Sequence, residues 1–170
     1  MRFLFLSTLL ALALSGCNPT FNWRDVRPDG TRLSLLMPCK PDKAQKKVPL
    51  GGSPTELMML SCDAGGMTFA VGTADVGDAA KVAAALAQWQ AVTLANIKAP
   101  AVSPSTSIQL AGAAGGASLV TAVGQRTNGR AVASQAAYFA QGTQVFQAVV
   151  LADRIAADAA DTFFSGLKFE

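Results

Sequence analysis

Short runs in which apolar and polar residues alternate fill much of the chain after residue 21, and turn-forming residues separate them. Alternation of this kind predicts strands that bury one face. The turn signal Pro28-Asp29-Gly30 joins the first two runs into a predicted hairpin. Residues 38–49 are basic, and we expect them to be irregular. The strands predicted in the first half of the chain are residues 22–27, 32–37, 55–62 and 67–74.

The middle of the chain predicts one long helix, at residues 79–97. Asp78 is placed to cap its first turn. Four larger apolar side chains recur at helical spacing among many alanines, which gives the helix a face that fits flat against a sheet. These side chains are Val82, Leu86, Trp89 and Val92.

Further alternating runs follow the helix at residues 117–123, 130–140 and 144–151, with an Asn128-Gly129 hairpin signal before the second run. Residues 155–167 predict a short C-terminal helix. Helices that are segregated from antiparallel strands indicate an α+β fold. We therefore expect an antiparallel β-sheet of two meanders, with one long helix and a short C-terminal helix packed on it.

The N-terminus has a different pattern. Arg2 precedes an apolar run at residues 3–14 that spans about 18 Å as a helix, well short of a bilayer core of roughly 30 Å. This arrangement is typical of a secretory signal peptide. The run ends in Leu14-Ser15-Gly16-Cys17, which resembles the bacterial lipobox. The resemblance implies cleavage before Cys17 and lipid attachment to its thiol and amine, and two or more acyl chains make a stable anchor.

The lipobox divides the chain into a signal peptide at residues 1–16, an anchor and short tether at 17–21, and a single domain at 22–170. Asn18 follows the cysteine, at the position where an aspartate retains lipoproteins in the inner membrane. The resemblance thus implies a lipoprotein that faces the periplasm, with the outer membrane favoured over the inner. Its expected partners are the membrane, through the lipid, and an envelope protein.

The net charge of +3 is too small to indicate nucleic-acid binding. The positive charge is concentrated near the anchor. There it could meet anionic head groups or a partner protein. We favour a third interpretation, in which the lysines keep a loop solvated. The lysines of this basic segment are Lys40, Lys43, Lys46 and Lys47.

Cys39 and Cys62 remain after Cys17. In an oxidising periplasm they are expected to form a disulfide, worth roughly 3 kcal/mol for a loop of about 24 residues. A Cu(I) site is a less favoured alternative, because methionines lie beside both cysteines and sulfur ligands suit that ion. Met58 and Met59 are adjacent on a predicted strand and would face opposite sides, and methionine commonly fills cores. The methionines concerned are Met37, Met58 and Met59.

Catalytic signals are missing from the sequence. It contains no histidine, which removes Ser-His-Asp and Cys-His nucleophile systems and most zinc sites. Its aspartates lie largely in turns or at helix starts, and its glycines form no phosphate-binding loop. We predict a non-enzymatic protein without a cofactor.

The order of meander, long helix, second meander and short C-terminal helix resembles the PsbP-like fold, which occurs in the extrinsic photosystem II subunit and in DcrB-type bacterial lipoproteins. The likeness extends over about residues 21–169. It includes Tyr138-Phe139, Val145-Phe146 and the closing segment at residues 163–169. It implies a non-catalytic role in binding or in support of protein assemblies. The alternative is a carrier of a small apolar ligand or lipid, because alanines and glycines on the sheet could leave a cleft under the helix.

Overall fold

The computed structural model describes residues 19–113 and 115–170, so the predicted signal peptide, Cys17 and Asn18 lie outside the described residues. Within these residues, ten strands and two helices follow one another, and a short 3-10 turn, Ala79–Lys81, precedes the first helix. The elements are β1 Arg24–Val26, β2 Leu33–Met37, β3 Asp42–Leu50, β4 Ser53–Ala64, β5 Met67–Asp75, α1 Val82–Asn96, β6 Ser105–Ile108, β7 Ala117–Gln125, β8 Ala131–Gln141, β9 Gln144–Ala152, α2 Ala157–Ser165 and β10 Lys168–Phe169.

Seven antiparallel strands form the main sheet, in the order β3-β4-β5-β9-β8-β7-β6. Two meanders, β3 to β5 and β6 to β9, meet where β5 pairs with β9. The antiparallel α+β class is therefore confirmed. The predicted first hairpin is not part of this sheet. It belongs to a separate three-stranded sheet, in which β2 pairs with β1 on one side and with the C-terminal β10 on the other, where Phe169 lies opposite Leu33.

The expectation that residues 38–49 are irregular is wrong. Most of this segment is β3, an outer strand of the main sheet that pairs only with β4. Residues 42–47 are all exposed, so the segment lacks the buried alternation that identifies a strand in sequence. Its lysines suit this position, because charged side chains on an edge strand oppose pairing with other chains.

The main sheet has two covered faces. The α2 face is covered by α2 and the three-stranded sheet, and its core contains closely packed aromatic rings such as Phe69 and Phe163, whose centroids are 5.3 Å apart. The predicted shared face of Phe146, Ala148 and Val150 is fully buried in this core. The opposite face, the α1 face, is covered by α1.

Asp78 is a capping residue as predicted, since its carboxylate accepts a hydrogen bond from the Ala80 amide at 2.9 Å, but it caps the 3-10 turn Ala79–Lys81, and α1 itself begins at Val82. Trp89 is buried against the sheet, and Ala85 and Leu94 are buried beside it. The predicted burial of Val92 is wrong, since this side chain is 49% exposed. Among the described residues, no helix is both long and apolar enough to cross a membrane.

Candidate binding cleft

A cleft of about 530 Å³ separates α1 from the main sheet. Its wall on the sheet side comes from β3, β4, β5 and β9, and its other wall comes from the second half of α1. Most of the lining is apolar. The principal apolar side chains are Val48, Leu57, Met59, Trp89, Val149 and Leu151.

The cleft exists because one helix cannot cover this sheet. A helix of 15 residues is about 22 Å long and about 10 Å across, whereas seven strands span about 29 Å between the two outer strands. Beside the cleft, by contrast, α1 packs closely on the sheet at a glycine. Gly72 on β5 lies under the Trp89 ring, and a Cβ atom there would be 2.8 Å from Trp89 Cζ2.

Long-range contacts fix the path of α1 over the cleft. The Gln88 side chain donates to the Pro49 carbonyl at 3.0 Å and accepts from the Gly51 amide at 3.1 Å, which ties the helix to the β3–β4 turn. Beyond the other end of the helix, the Gln125 amide donates to the Ile97 carbonyl at 2.6 Å. Gly124 permits this approach, since a Cβ atom there would be 2.0 Å from the Ile97 oxygen.

Three polar side chains form a network on the α1 face, beside the cleft. Gln147 Nε2 donates to Thr93 Oγ1 at 2.7 Å and to Tyr138 Oη at 3.0 Å. The Thr93 hydroxyl donates in turn to the Trp89 carbonyl at 2.9 Å. Both hydrogens of the Gln147 amide are thus used, and only its oxygen is left for a further partner.

Burial raises the pKa of Tyr138, and its hydrogen bonds with Thr93 and Gln147 oppose this shift. The phenol therefore remains a neutral hydroxyl at physiological pH. The sequence pattern did not identify this network. The available signal was Gln147 itself, a large polar residue in the middle of the apolar run that forms β9.

The four lysines of the basic segment do not form a single patch. Lys43 and Lys47 lie opposite Leu60 and Glu56 of β4, on the α2 side of the strand, and Lys43 forms an ion pair with Asp29 at 2.7 Å. Lys46 lies opposite Leu57, on the other side, and lines the cleft. Lys40 precedes β3 and is exposed.

Cys39 and Cys62 are joined, with their Cα atoms 6.0 Å apart, as the sequence predicted for a disulfide. The bond connects the segment before β3 to β4, and Cys62 is buried in the core of the α2 face. The disulfide therefore has a structural role.

The arrangement of sulfur atoms gives no support to the Cu(I) alternative. The disulfide uses both thiols, and Met37 is fully buried in the core of the α2 face. Met58 and Met59 lie on opposite sides of β4, as the sequence indicated. Within residues 19–113 and 115–170, no three histidine, cysteine, aspartate or glutamate side chains cluster closely enough to hold a metal ion.

Comparison of the sequence with models of known protein families finds no match, and comparison with curated proteins finds none either. The functional argument therefore depends on the geometry of the cleft and on the motifs of the sequence.

Proposed function

We propose that this chain is a lipid-anchored, non-catalytic binding protein of the cell envelope, and that its domain holds a small apolar ligand in the cleft beneath α1. The observation that supports this proposal is the apolar lining of a cleft of about 530 Å³. Ligand sites are typically concave, mostly apolar, and about 300–1,000 Å³ in volume, with a few polar groups that orient the ligand. The cleft has these properties.

The sequence left open a role in supporting protein assemblies and a role in carrying an apolar ligand. Protein interiors are normally packed with few voids larger than a water molecule. A carrier requires a large apolar opening within its fold, whereas support of a partner does not require one. The cleft therefore favours the carrier, and an envelope protein partner stays a prediction from the sequence.

Binding of N-phenylnaphthylamine, a neutral fluorophore that brightens in apolar surroundings, tests this function. Ala70 lines the cleft on β5 and is 6% exposed, so Ala70→Leu adds bulk inside it. We expect saturable binding to the native domain and weaker binding to Ala70→Leu by about tenfold, since the lost burial of one or two methylenes is worth about 0.8 kcal/mol each.

Ala131→Leu is the matched control, because Ala131 is exposed on β8 and does not line the cleft. This variant should bind the fluorophore like the native domain, and circular dichroism should show both variants folded. Equal binding by all three proteins would place the fluorophore elsewhere and contradict the proposal.

The anchor is the second part of the proposal. The lipobox at residues 14–17 supports lipid attachment to Cys17, with the domain facing the periplasm and the outer membrane as the favoured location. Cys17→Ser should release the protein from washed membranes or leave it uncleaved, as judged by fractionation and intact mass. Unchanged mass and membrane association would reject the lipoprotein assignment.

We also propose that the domain has the PsbP-like arrangement. The support is the order of elements, with β3 to β5 before α1, β6 to β9 after it, and α2 near the end. Superposition on an experimental structure of that fold tests this relationship, and a different strand order would remove it.

A further inference from the structure

We propose that the occupant of the cleft is a single-chain amphiphile with an anionic head group, and that Lys46 at the rim holds the head group. The inference depends on the proposed function, because it names the chemical class of the ligand for the same cleft. Its support comes from the position of Lys46, the charges around the cleft and the volume available.

The position of Lys46 follows from the register of β3. Residues that pair directly in an antiparallel sheet share a face, and Lys46 pairs with Leu57, which is in the cleft wall. Val48, two residues further along, also lines the cleft. Lys46 itself is exposed, and β3 is an outer strand. The ammonium group therefore lies where the apolar lining meets solvent.

The charge at this rim is unbalanced. Among the described residues that line the cleft, Lys46 is the only charged one. Lys43 on the same strand has an ion pair with Asp29, whereas no ion pair within the described part of the chain includes Lys46. An apolar cleft with one cation at its rim complements a molecule that has an apolar tail and one negative charge at its end.

The buried polar network beside the cleft disfavours an anion next to Gln147. The amide hydrogens of Gln147 are already used by Thr93 and Tyr138, so the network offers mainly an acceptor oxygen. An anion placed there would lose its hydration without gaining a donor, and burying an unpaired charge is costly. We therefore place the head group at the rim of the cleft, beside Lys46, and the apolar tail inside the cleft.

The volume indicates one chain. A methylene group is about the size of a water molecule, which occupies roughly 30 Å³ in the liquid. A cleft of about 530 Å³ then holds fewer than about twenty such groups, which is enough for one long acyl chain but not for two of that length.

Displacement of N-phenylnaphthylamine by three probes with the same tail tests the head group: decanoate, decyl phosphate and decanol, all at neutral pH. The native domain, Lys46→Gln and Lys47→Gln are compared. Lys47 is the matched control because it is the next residue on β3 and lies on the other side of the strand. Both substitutions remove one charge from an exposed position.

We expect the two anionic probes to bind Lys46→Gln about two- to fivefold more weakly than the native domain, since exposed ion pairs are worth up to about 1 kcal/mol. Decanol should be unaffected, Lys47→Gln should behave as native for all three probes, and added salt should narrow the difference. A stronger response to one of the two anions identifies the head group.

Each alternative result has a distinct meaning. If all probes displace the fluorophore but bind native and Lys46→Gln equally, the head-group inference is wrong and the cleft function stands. An equal loss of anion binding in Lys47→Gln would show a general effect of charge and would also overturn the inference. If no probe displaces the fluorophore and Ala70→Leu binds it normally, the proposed function itself fails.

Discussion

The two faces of the main sheet use the same strands for different purposes. On the α2 face, phenylalanine rings such as Phe69 and Phe146 fill the space below a second sheet and a helix. On the α1 face, the neighbouring position Ala70 has a small side chain and Gln147 has a polar one. A single helix covers this face incompletely and leaves a cleft. Because side chains alternate between faces, each strand supplies a packed core to one side and a binding wall to the other.

Stability and function can be separated within one sheet. The α2 face contains the aromatic cluster and the buried end of the disulfide, so it accounts for much of the close packing. The α1 face can then tolerate incomplete packing near the cleft, which a small domain without a second core could not. Substitutions on the two faces should therefore have different costs.

The largest expected difference is between two leucines of β4. Leu60 is buried in the core of the α2 face, and Leu57 lines the cleft. Leu60→Ala should lower the free energy of unfolding by about 2–5 kcal/mol, because it leaves a closed cavity. Leu57→Ala should lower it by an amount near the lower end of that range, since it widens a space that is already open. Urea denaturation measures both, and equal losses would contradict the distinction between the faces.

The second largest expected loss of stability comes from removing the disulfide. Its two cysteines are 23 residues apart in sequence, and their bond constrains the unfolded chain. Cys39→Ser with Cys62→Ser should lower the free energy of unfolding by roughly 3 kcal/mol. The native protein should lose a similar amount in reductant, and the double variant should not respond to it. Fluorophore binding in the cleft at a temperature where the variant is folded should be unchanged, because the bond lies on the other face.

Enlarging either of two alanines should have a smaller effect on the free energy of unfolding. Ala148 on β9 is fully buried on the α2 face, and Ala70 on β5 lies opposite the next residue of β9, Val149, on the α1 face. Ala148→Leu should cost about 1–3 kcal/mol, because overpacking forces neighbouring side chains to move. Ala70→Leu should change stability by less than about 0.5 kcal/mol while it weakens fluorophore binding. A large destabilisation by Ala70→Leu would show that the α1 face is packed as tightly as the other.

The same contrast explains what the sequence could predict. The sequence predicts strands such as β9 because Phe146, Ala148 and Val150 alternate with other residues and bury one face. The sequence does not reveal the strand β3, because an outer strand with exposed lysines has no hydrophobic period. The sequence does not reveal the three-stranded sheet, because its third strand, β10, has only two residues and comes from the other end of the chain.

The sequence suggests that a cleft could exist between the helix and the sheet, but it does not predict where the cleft lies. Small residues on strands are compatible with an open space or with a closely packed helix. The outcome depends on the path of α1, which is set by contacts between distant residues such as Gln88 with Pro49 and Ile97 with Gln125. The role of Lys46 depends on register, because a shift of one residue along β3 would move it to the opposite face.

The smallest expected effect concerns Tyr138, the only tyrosine of the chain. Burial raises its pKa above the ordinary value of 10.0, so the folded state favours the neutral phenol. The unfolded chain loses this proton first as pH rises. The stabilisation is complete below pH 10.0 and is lost as pH rises through the pKa of the folded state. Absorbance of the phenolate in the folded protein should therefore rise at a higher pH than in the urea-unfolded protein.

Tyr138→Phe tests the same network through stability. The substitution leaves one hydrogen of Gln147 Nε2 without its acceptor, at a cost of about 1 kcal/mol near neutral pH. Above pH 10 the difference between variant and native should shrink, because only the native protein loses the contribution of the neutral phenol. Thr93→Val, which removes the other acceptor of Gln147, should cost a similar amount near neutral pH. Because this variant keeps Tyr138, its free energy of unfolding should still fall above pH 10, as in the native protein. A phenolate titration identical in folded and unfolded protein would show that Tyr138 is solvated, and the α1 face would then be open to water beyond the cleft.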